Sequence, residues 1–300
     1  MTEALDWLID PYRFEFMRRA LMALALTSVV GAVVGAFVVN KGLAFSGDAL
    51  AHATLAGVAV AFVNGANVSV GALIAAVLTA LGIGWTERRA RVSYDTAIGI
   101  AFVAMFAIGM LVLSRRASYT PDLFSFVFGD ILGISQADLL GAALLAALVL
   151  IFVVAFYREL LFVAYDPAMA AASGVPVAPF QYALLVLIAI TVVVALKAIG
   201  IVLVNAMLIV PAATAGLLVR RMPAIMVLGA ALGLVSSVVG LHLSFYADVS
   251  ASAAVVLTAC TLFGGALLLA ARGRVRLPPP GAASAPGAPP RRGATAEPPA

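Results

Sequence analysis

From residue 49 to residue 86 the chain runs for 38 residues without a Lys, Arg, Asp or Glu. A helix that crosses a bilayer needs about 20 consecutive apolar residues, so this stretch alone is long enough for two crossings. The chain is 64% hydrophobic and 11% charged, with a mean hydropathy of +1.14, which excludes a soluble globular protein. Six more windows of at least 19 residues lack the same four residue types: 20–40, 96–114, 139–157, 198–219, 222–247 and 249–271. The sequence therefore predicts an all-α polytopic membrane protein.

Nine hydrophobic helical segments account for these windows and for one further segment inside residues 167–196. Their predicted bounds are 17–39, 45–63, 68–86, 95–114, 137–156, 178–196, 198–219, 223–246 and 250–271. The stretch 123–134 is too short to cross a bilayer and contains Asp130, so we predict a re-entrant or interfacial helix there. Pro211 lies inside the seventh segment, where a proline is expected to kink the helix.

The chain divides into three regions. Residues 1–16 form an N-terminal segment, and residues 17–271 form the transmembrane domain. Residues 272–300 are rich in Pro, Gly and Ala. A segment of that composition cannot bury a core, so we expect a disordered cytoplasmic tail and assign it no function.

The orientation in the membrane follows from Lys and Arg, which are enriched in short cytoplasmic loops. If the loops after segments one, three, five, seven and nine are cytoplasmic, ten basic residues lie inside and six outside. The inner set is Lys41, Arg88, Arg89, Arg91, Arg158, Arg220, Arg221, Arg272, Arg274 and Arg276, and the outer set is Arg13, Arg18, Arg19, Arg115, Arg116 and Lys197. This bias predicts an external N-terminus and a cytoplasmic C-terminus. It also explains the pI near 9.5 without a nucleic-acid partner.

An ionisable pair lies near the start of the second segment. Asp48 and His52 are four positions apart, which places both on one face of a helix. Ionisable residues inside a membrane helix are costly, so they indicate a functional site. A carboxylate and an imidazole are half of a ligand set for a divalent transition metal. Other spans, water or a second copy across a two-fold axis must complete the set; a symmetric dimer supplies two Asp48 and two His52.

Three other ionisable residues are candidates for a metal access path. His242 lies near the outer end of the eighth segment, where an anchoring role beside Tyr246 competes with that of a transient ligand. Asp130 and Asp248 lie at predicted outer ends, where they would either attract cations or cap helices. Four uncharged polar residues can form hydrogen bonds between helices: Asn205, Thr214, Ser236 and Ser237.

A short helix is predicted in a cytoplasmic loop at residues 166–174. Asp166 suits the N-cap, Pro167 the first helical position and Gly174 the stop. Two interpretations remain open: a simple connector, or a contact for a cytoplasmic partner.

Several catalytic motifs are missing from the chain. There is no G-x-x-x-x-G-K-[ST], so the chain cannot hold ATP phosphates itself. H-E-x-x-H and G-x-S-x-G are also absent, which argues against intramembrane hydrolysis. We therefore expect a transport protein rather than an enzyme, and uphill transport would need an energy source from elsewhere.

The chain resembles the permease subunit of the zinc/manganese/iron ABC importers, the ABC-3 family, over residues 17–271. The resemblance rests on the motifs at 47–53, 95–100, 122–123 with 128–133, 166–167, 211–215, and 240–241 with Ser244 and Tyr246. It implies a homodimer in a bacterial cytoplasmic membrane, a cytoplasmic ATP-binding subunit and an extracytoplasmic metal-binding protein. It also implies that Asp48 and His52 line the metal path and that the 166–174 helix contacts the ATPase.

The transported metal and the transport class are separate questions. A carboxylate with an imidazole suits Zn²⁺ and Mn²⁺ and lacks the sulfur ligands expected for Cu(I). We favour zinc as the transported ion because two Asp and two His are naturally four-coordinate, with manganese as the alternative. No permanently bound cofactor is expected. A proton-coupled metal exporter, a drug/metabolite exporter and a membrane enzyme remain alternatives.

Overall fold

The structure is a computed structural model, and it describes residues 10–114 and 133–274. Within these ranges, nine helical stretches are long and apolar enough to cross a membrane, which confirms the predicted number of hydrophobic segments. The long helices are Glu15–Asn40 (α1), Ala44–Val63 (α2), Val68–Ala90 (α3), Tyr94–Ser114 (α4), Gln136–Ala155 (α5), Val177–Leu218 (α8), Met222–Ala247 (α9) and Ala251–Leu269 (α10). Two short helices, Tyr157–Tyr165 (α6) and Pro167–Ala172 (α7), connect α5 to α8.

Helix α8 supplies two of the nine spans. Its 42 residues would be about 63 Å long if straight, twice the thickness of a bilayer core. Gly200 leaves helical geometry with φ 77° and ψ 166°. It is the second residue of the second of two arms, a first arm, Val177–Leu196, and a second arm, Ile199–Leu218. Pro211, where the sequence predicts a kink, lies within the second arm, and the residue of α8 with non-helical dihedral angles is Gly200.

The second arm of α8 packs tightly against α1 through small residues. A Cβ added to Gly31 of α1 would lie 3.0 Å from the backbone oxygen of Met207. Three residues earlier in α1, a Cβ on Gly233 of α9 would lie 3.0 Å from the Cβ of Ser28. The hydroxyls of Ser28 and Ser237 are 3.3 Å apart across the same contact. Small residues allow this close approach, which is how membrane helices gain van der Waals contact.

A polar cluster lies where α1 and α3 end and α8 begins. Lys41 directly follows α1, and burial lowers the pKa of its ammonium group while the nearby charge of Glu87 opposes that shift. Arg88 donates a hydrogen bond of 2.9 Å to Oε1 of Gln181 and lies 5.6 Å from the ring centre of Tyr182. These interactions therefore link the ends of α1 and α3 to the start of α8.

Two predicted regions lie outside the described residues. Asp130 and most of the predicted re-entrant helix at 123–134 fall between residues 114 and 133. The predicted tail falls outside the described part of the chain from residue 275 onward. Ser135 caps α5: its Oγ accepts a hydrogen bond from the backbone N–H of Asp138.

Candidate metal site

Asp48 and His52 lie on the same face of α2, as their spacing predicts. Oδ1 of Asp48 is 3.7 Å from Nε2 of His52, which is too long for a hydrogen bond. The Asp48 side chain is 47% exposed and the His52 side chain 26%. The three residues that follow Asp48 are all buried. The pair is therefore partly exposed on a helix that is otherwise mostly buried.

Asn205 joins this pair from the second arm of α8. Its Nδ2 donates a hydrogen bond of 2.8 Å to Oδ1 of Asp48. The sequence marks Asn205 only as a group able to bond between helices, and the structure identifies the carboxylate as its partner. Residues that are far apart in the chain thus form one polar group inside the helix bundle.

Gly47 makes room for the Asn205 amide. A Cβ added at Gly47 would lie 2.7 Å from Oδ1 of Asn205 and 3.0 Å from Cδ2 of Leu208. A Cβ at 2.7 Å from an oxygen forces one of the two groups to move. The glycine directly before Asp48 therefore lets α2 and α8 approach at the depth of the carboxylate.

Two phenylalanines of α4 enclose the imidazole of His52. The ring centres of Phe102 and Phe106 lie 5.0 and 5.9 Å from that of His52, with interplanar angles of 86° and 81°. The two phenylalanine rings stack on each other at 6.2 Å. Sequence analysis missed these residues; their four-residue spacing in a span is a signal that could have paired them on one face of α4.

The donor set of one chain is incomplete for a transition metal. Zinc takes four ligands in most protein sites, and manganese takes more. Among residues 10–114 and 133–274, no group of three or more His, Cys, Asp and Glu side chains is arranged to hold an ion. Asp48 and His52 therefore offer one carboxylate and one imidazole, with Nδ1 of His52 buried and unbonded to any group in the described part of the chain.

The other candidate residues lie elsewhere. His242 is buried near the end of α9, where its Nδ1 lies 2.8 Å from the backbone oxygen of Val238 and 3.2 Å from the hydroxyl of Tyr12. Burial raises the pKa of the Tyr12 phenol, so this hydroxyl keeps its proton. Asp248 is exposed and directly follows α9 with φ 52°. In the structure, His242 therefore contacts Tyr12, whereas Asp48 contacts Asn205.

The short helix predicted in the cytoplasmic loop is present as α7. Oδ1 of Asp166 accepts a hydrogen bond of 2.9 Å from the backbone N–H of Met169, and Pro167 is the first helical residue. Gly174 follows with φ 82°, a left-handed conformation typical of the residue after a helix. The predicted cap, start and stop of this helix are therefore confirmed.

Comparison with known proteins places these features in a family. The sequence matches the ABC 3 transport family over residues 13–270, which include the Asp48–His52 pair and α7. The chain belongs to this family. It is therefore a multi-pass cell-membrane protein and a permease, in agreement with the resemblance found in the sequence.

Individual relatives cover most of this chain. The manganese transport system membrane protein MntC of Halalkalibacterium halodurans is 41% identical over 250 residues, which are 83% of this chain and 86% of the relative. The chelated iron transport system membrane protein YfeD of Yersinia pestis is 34% identical over 259 residues, 86% of this chain and 87% of the relative. Among solved structures, PsaBC from Streptococcus pneumoniae in complex with Fab matches with a TM-score of 0.79 and 32% identity, over 90% of this chain and 98% of the matched chain.

Proposed function

We propose that this chain is the permease subunit of an ATP-driven importer of manganese. The observation that carries the proposal is the Asp48–His52 pair, which presents a half-exposed carboxylate beside an imidazole within a membrane span. The names of the relatives support the choice of metal, because they include manganese and iron transport systems. Carboxylate and imidazole ligands suit Mn²⁺.

Zinc, which the sequence analysis favours, receives no support from these relatives. The preference for zinc depends on a four-coordinate site of two Asp and two His. A manganese ion bound to the same four groups would add oxygen ligands from water. We therefore rank manganese first and keep zinc as the competing ion in the experiment below.

A homodimer completes the proposed site. One chain presents two ligands, and a two-fold axis beside α2 would add Asp48 and His52 of a second copy. A half-exposed carboxylate in a membrane span is costly unless protein or water covers it. We therefore expect the second copy to cover the exposed face of α2 at Asp48.

The energy source and the metal-delivery protein are separate chains in this proposal. The sequence has no phosphate-binding loop, so a cytoplasmic ATP-binding subunit must hydrolyse ATP. Helix α7 is the expected contact for this subunit, because it is a capped helix in a loop on the basic side of the membrane. An extracytoplasmic metal-binding protein would deliver the ion to the opposite side, near His242 and Asp248. Family membership favours this arrangement over a proton-coupled exporter.

Uptake of radioactive manganese by cells that produce the complete transporter tests the proposal. Asp48→Ala and His52→Ala should each abolish uptake, while the protein is still inserted and retains its oligomeric state. Thr54→Val is the matched control, because the Thr54 hydroxyl is bonded within α2 to the backbone oxygen of Ala51 at 2.5 Å. Excess zinc that fails to compete with manganese would support the proposed metal, and full competition by equimolar zinc would favour zinc. Wild-type uptake by both alanine variants would contradict the site.

A further inference from the structure

We propose that Asn205 is a positioning residue for the transported ion, because its amide holds one carboxylate oxygen of Asp48 and leaves the other for the metal. This inference rests on the proposed function, because it assumes that Asp48 is a ligand. It adds a residue from α8 that carries no charge and makes no contact of its own with the ion.

The hydrogen bond determines which oxygen remains available. Nδ2 of Asn205 lies 2.8 Å from Oδ1 of Asp48, whereas Nε2 of His52 is 3.7 Å from the same atom. Asn205 therefore makes the hydrogen bond to Oδ1, and His52 does not. Oδ2 makes neither of these contacts and is left to bind an ion.

The orientation of the amide follows from chemistry. A carboxylate accepts hydrogen bonds only, so the Asn205 amide must turn its NH₂ group toward Asp48. Its own Oδ1 is buried and has no hydrogen-bond partner within the described ranges. Burying an amide oxygen without a donor is unfavourable, so the bond to Asp48 is the interaction that accounts for this amide in an apolar helix.

Packing keeps the amide in place. Asn205 lies over Gly47, where a Cβ would come within 2.7 Å of its Oδ1. The glycine therefore lets the amide reach the next residue, Asp48. Groups that orient a metal ligand typically contribute 10- to 100-fold to metal affinity, so we expect roughly this contribution from Asn205.

Manganese titration of the purified full-length chain in lipid nanodiscs tests the inference. Asn205→Leu keeps the branched shape of the side chain and removes the donor, so it should weaken Mn²⁺ binding by about 10- to 100-fold without loss of thermal stability. Thr214→Val is the control in the same arm, because the Thr214 hydroxyl bonds to the backbone oxygen of Val210 within α8. Wild-type affinity of Asn205→Leu would show that the amide only fills space and would overturn the inference.

A double-mutant cycle of Gly47 and Asn205 tests the role of Gly47. Gly47→Ala should displace the amide and weaken binding about as much as Asn205→Ala, and the double variant should bind no more weakly than either single variant. Independent, multiplied losses would contradict a shared mechanism. Asp48→Ala distinguishes the two proposals: if it binds Mn²⁺ as the wild type does, the proposed metal site is wrong. If Asp48→Ala abolishes binding and Asn205→Leu does not, only the role of Asn205 is wrong.

Discussion

Oδ1 of Asp166 lies 2.9 Å from the backbone nitrogen of Met169, and this hydrogen bond caps a helix of six residues. Helices this short are unstable alone, because nucleation costs more than one turn of hydrogen bonds returns. The cap, Pro167 and the left-handed Gly174 together determine where α7 starts and stops. If α7 contacts an ATP-binding subunit, its rigidity sets how well motion passes between the two chains.

Removing the cap should uncouple ATP hydrolysis from transport. Asp166→Ala combined with Pro167→Gly should destabilise α7 by about 1–2 kcal/mol. In the reconstituted transporter, metal-stimulated ATP hydrolysis should then fall more than metal binding. Asp166→Asn is the matched control, because asparagine caps helices as well as aspartate does. Unchanged stimulation in the double variant would argue that α7 is a simple connector.

The break in α8 should require glycine. The dihedral angles of Gly200 fall in a region that is nearly exclusive to glycine, so Gly200→Ala should destabilise the protein by about 1–3 kcal/mol. Gly216→Ala is the control in the same helix, because an added Cβ there meets no atom within 4 Å. Thermal unfolding in detergent should show a lower midpoint for Gly200→Ala and an unchanged or higher midpoint for Gly216→Ala. Equal midpoints would show that the bend does not depend on glycine.

Because of Lys41, the free energy of unfolding should depend on pH in the alkaline range. Burial lowers its pKa in the folded protein, so the unfolded chain binds more protons between that lowered value and the ordinary value of 10.5. Stability should therefore rise with pH across this interval. Lys41→Met should remove the rise, and Glu87→Gln should extend it to lower pH, because the Glu87 charge raises the pKa of Lys41. Unfolding midpoints of the three proteins at several pH values provide the measurement, and parallel curves would contradict the expectation.

Phe102 should restrict the imidazole of His52. Edge-to-face aromatic pairs contribute about 0.5–1.5 kcal/mol, so Phe102→Ala should weaken manganese binding by roughly 2- to 10-fold. Phe62→Ala is a suitable control, because Phe62 lies on the same helix as His52 and is 42% exposed. Calorimetric titration of the three proteins compares their affinities. A loss of equal size in both variants would point to a general packing effect.

The number and position of the spans could be predicted from the sequence, because bilayer thickness sets the length of an apolar helix. The first segment, predicted at 17–39, is Glu15–Asn40 in the structure. The short helix α7 was also predictable, since its cap and stop depend on neighbouring residues. Asp48 and His52 share a face for the same local reason.

Contacts between distant segments could not be predicted. The bond from Asn205 to Asp48 and the rings around His52 depend on how three helices pack, and an asparagine in a span has many possible partners. The break at Gly200 was missed because a proline is the more obvious interruption, yet proline keeps a helical φ and only glycine adopts the observed one. The transported metal could not be predicted either, because a carboxylate and an imidazole suit both zinc and manganese.

The close packing of α1, the second arm of α8 and α9 limits how the protein can move. Where Gly31 and Gly233 bring these helices together, an added Cβ on either glycine would lie 3.0 Å from an atom of a neighbouring helix. Sliding α1 along α8 would bring Gly31 against the backbone of Met207, so we expect these helices to move as one unit. We therefore expect access to Asp48 to change through helices outside this unit; among them, α4 contacts His52 through Phe102 and Phe106.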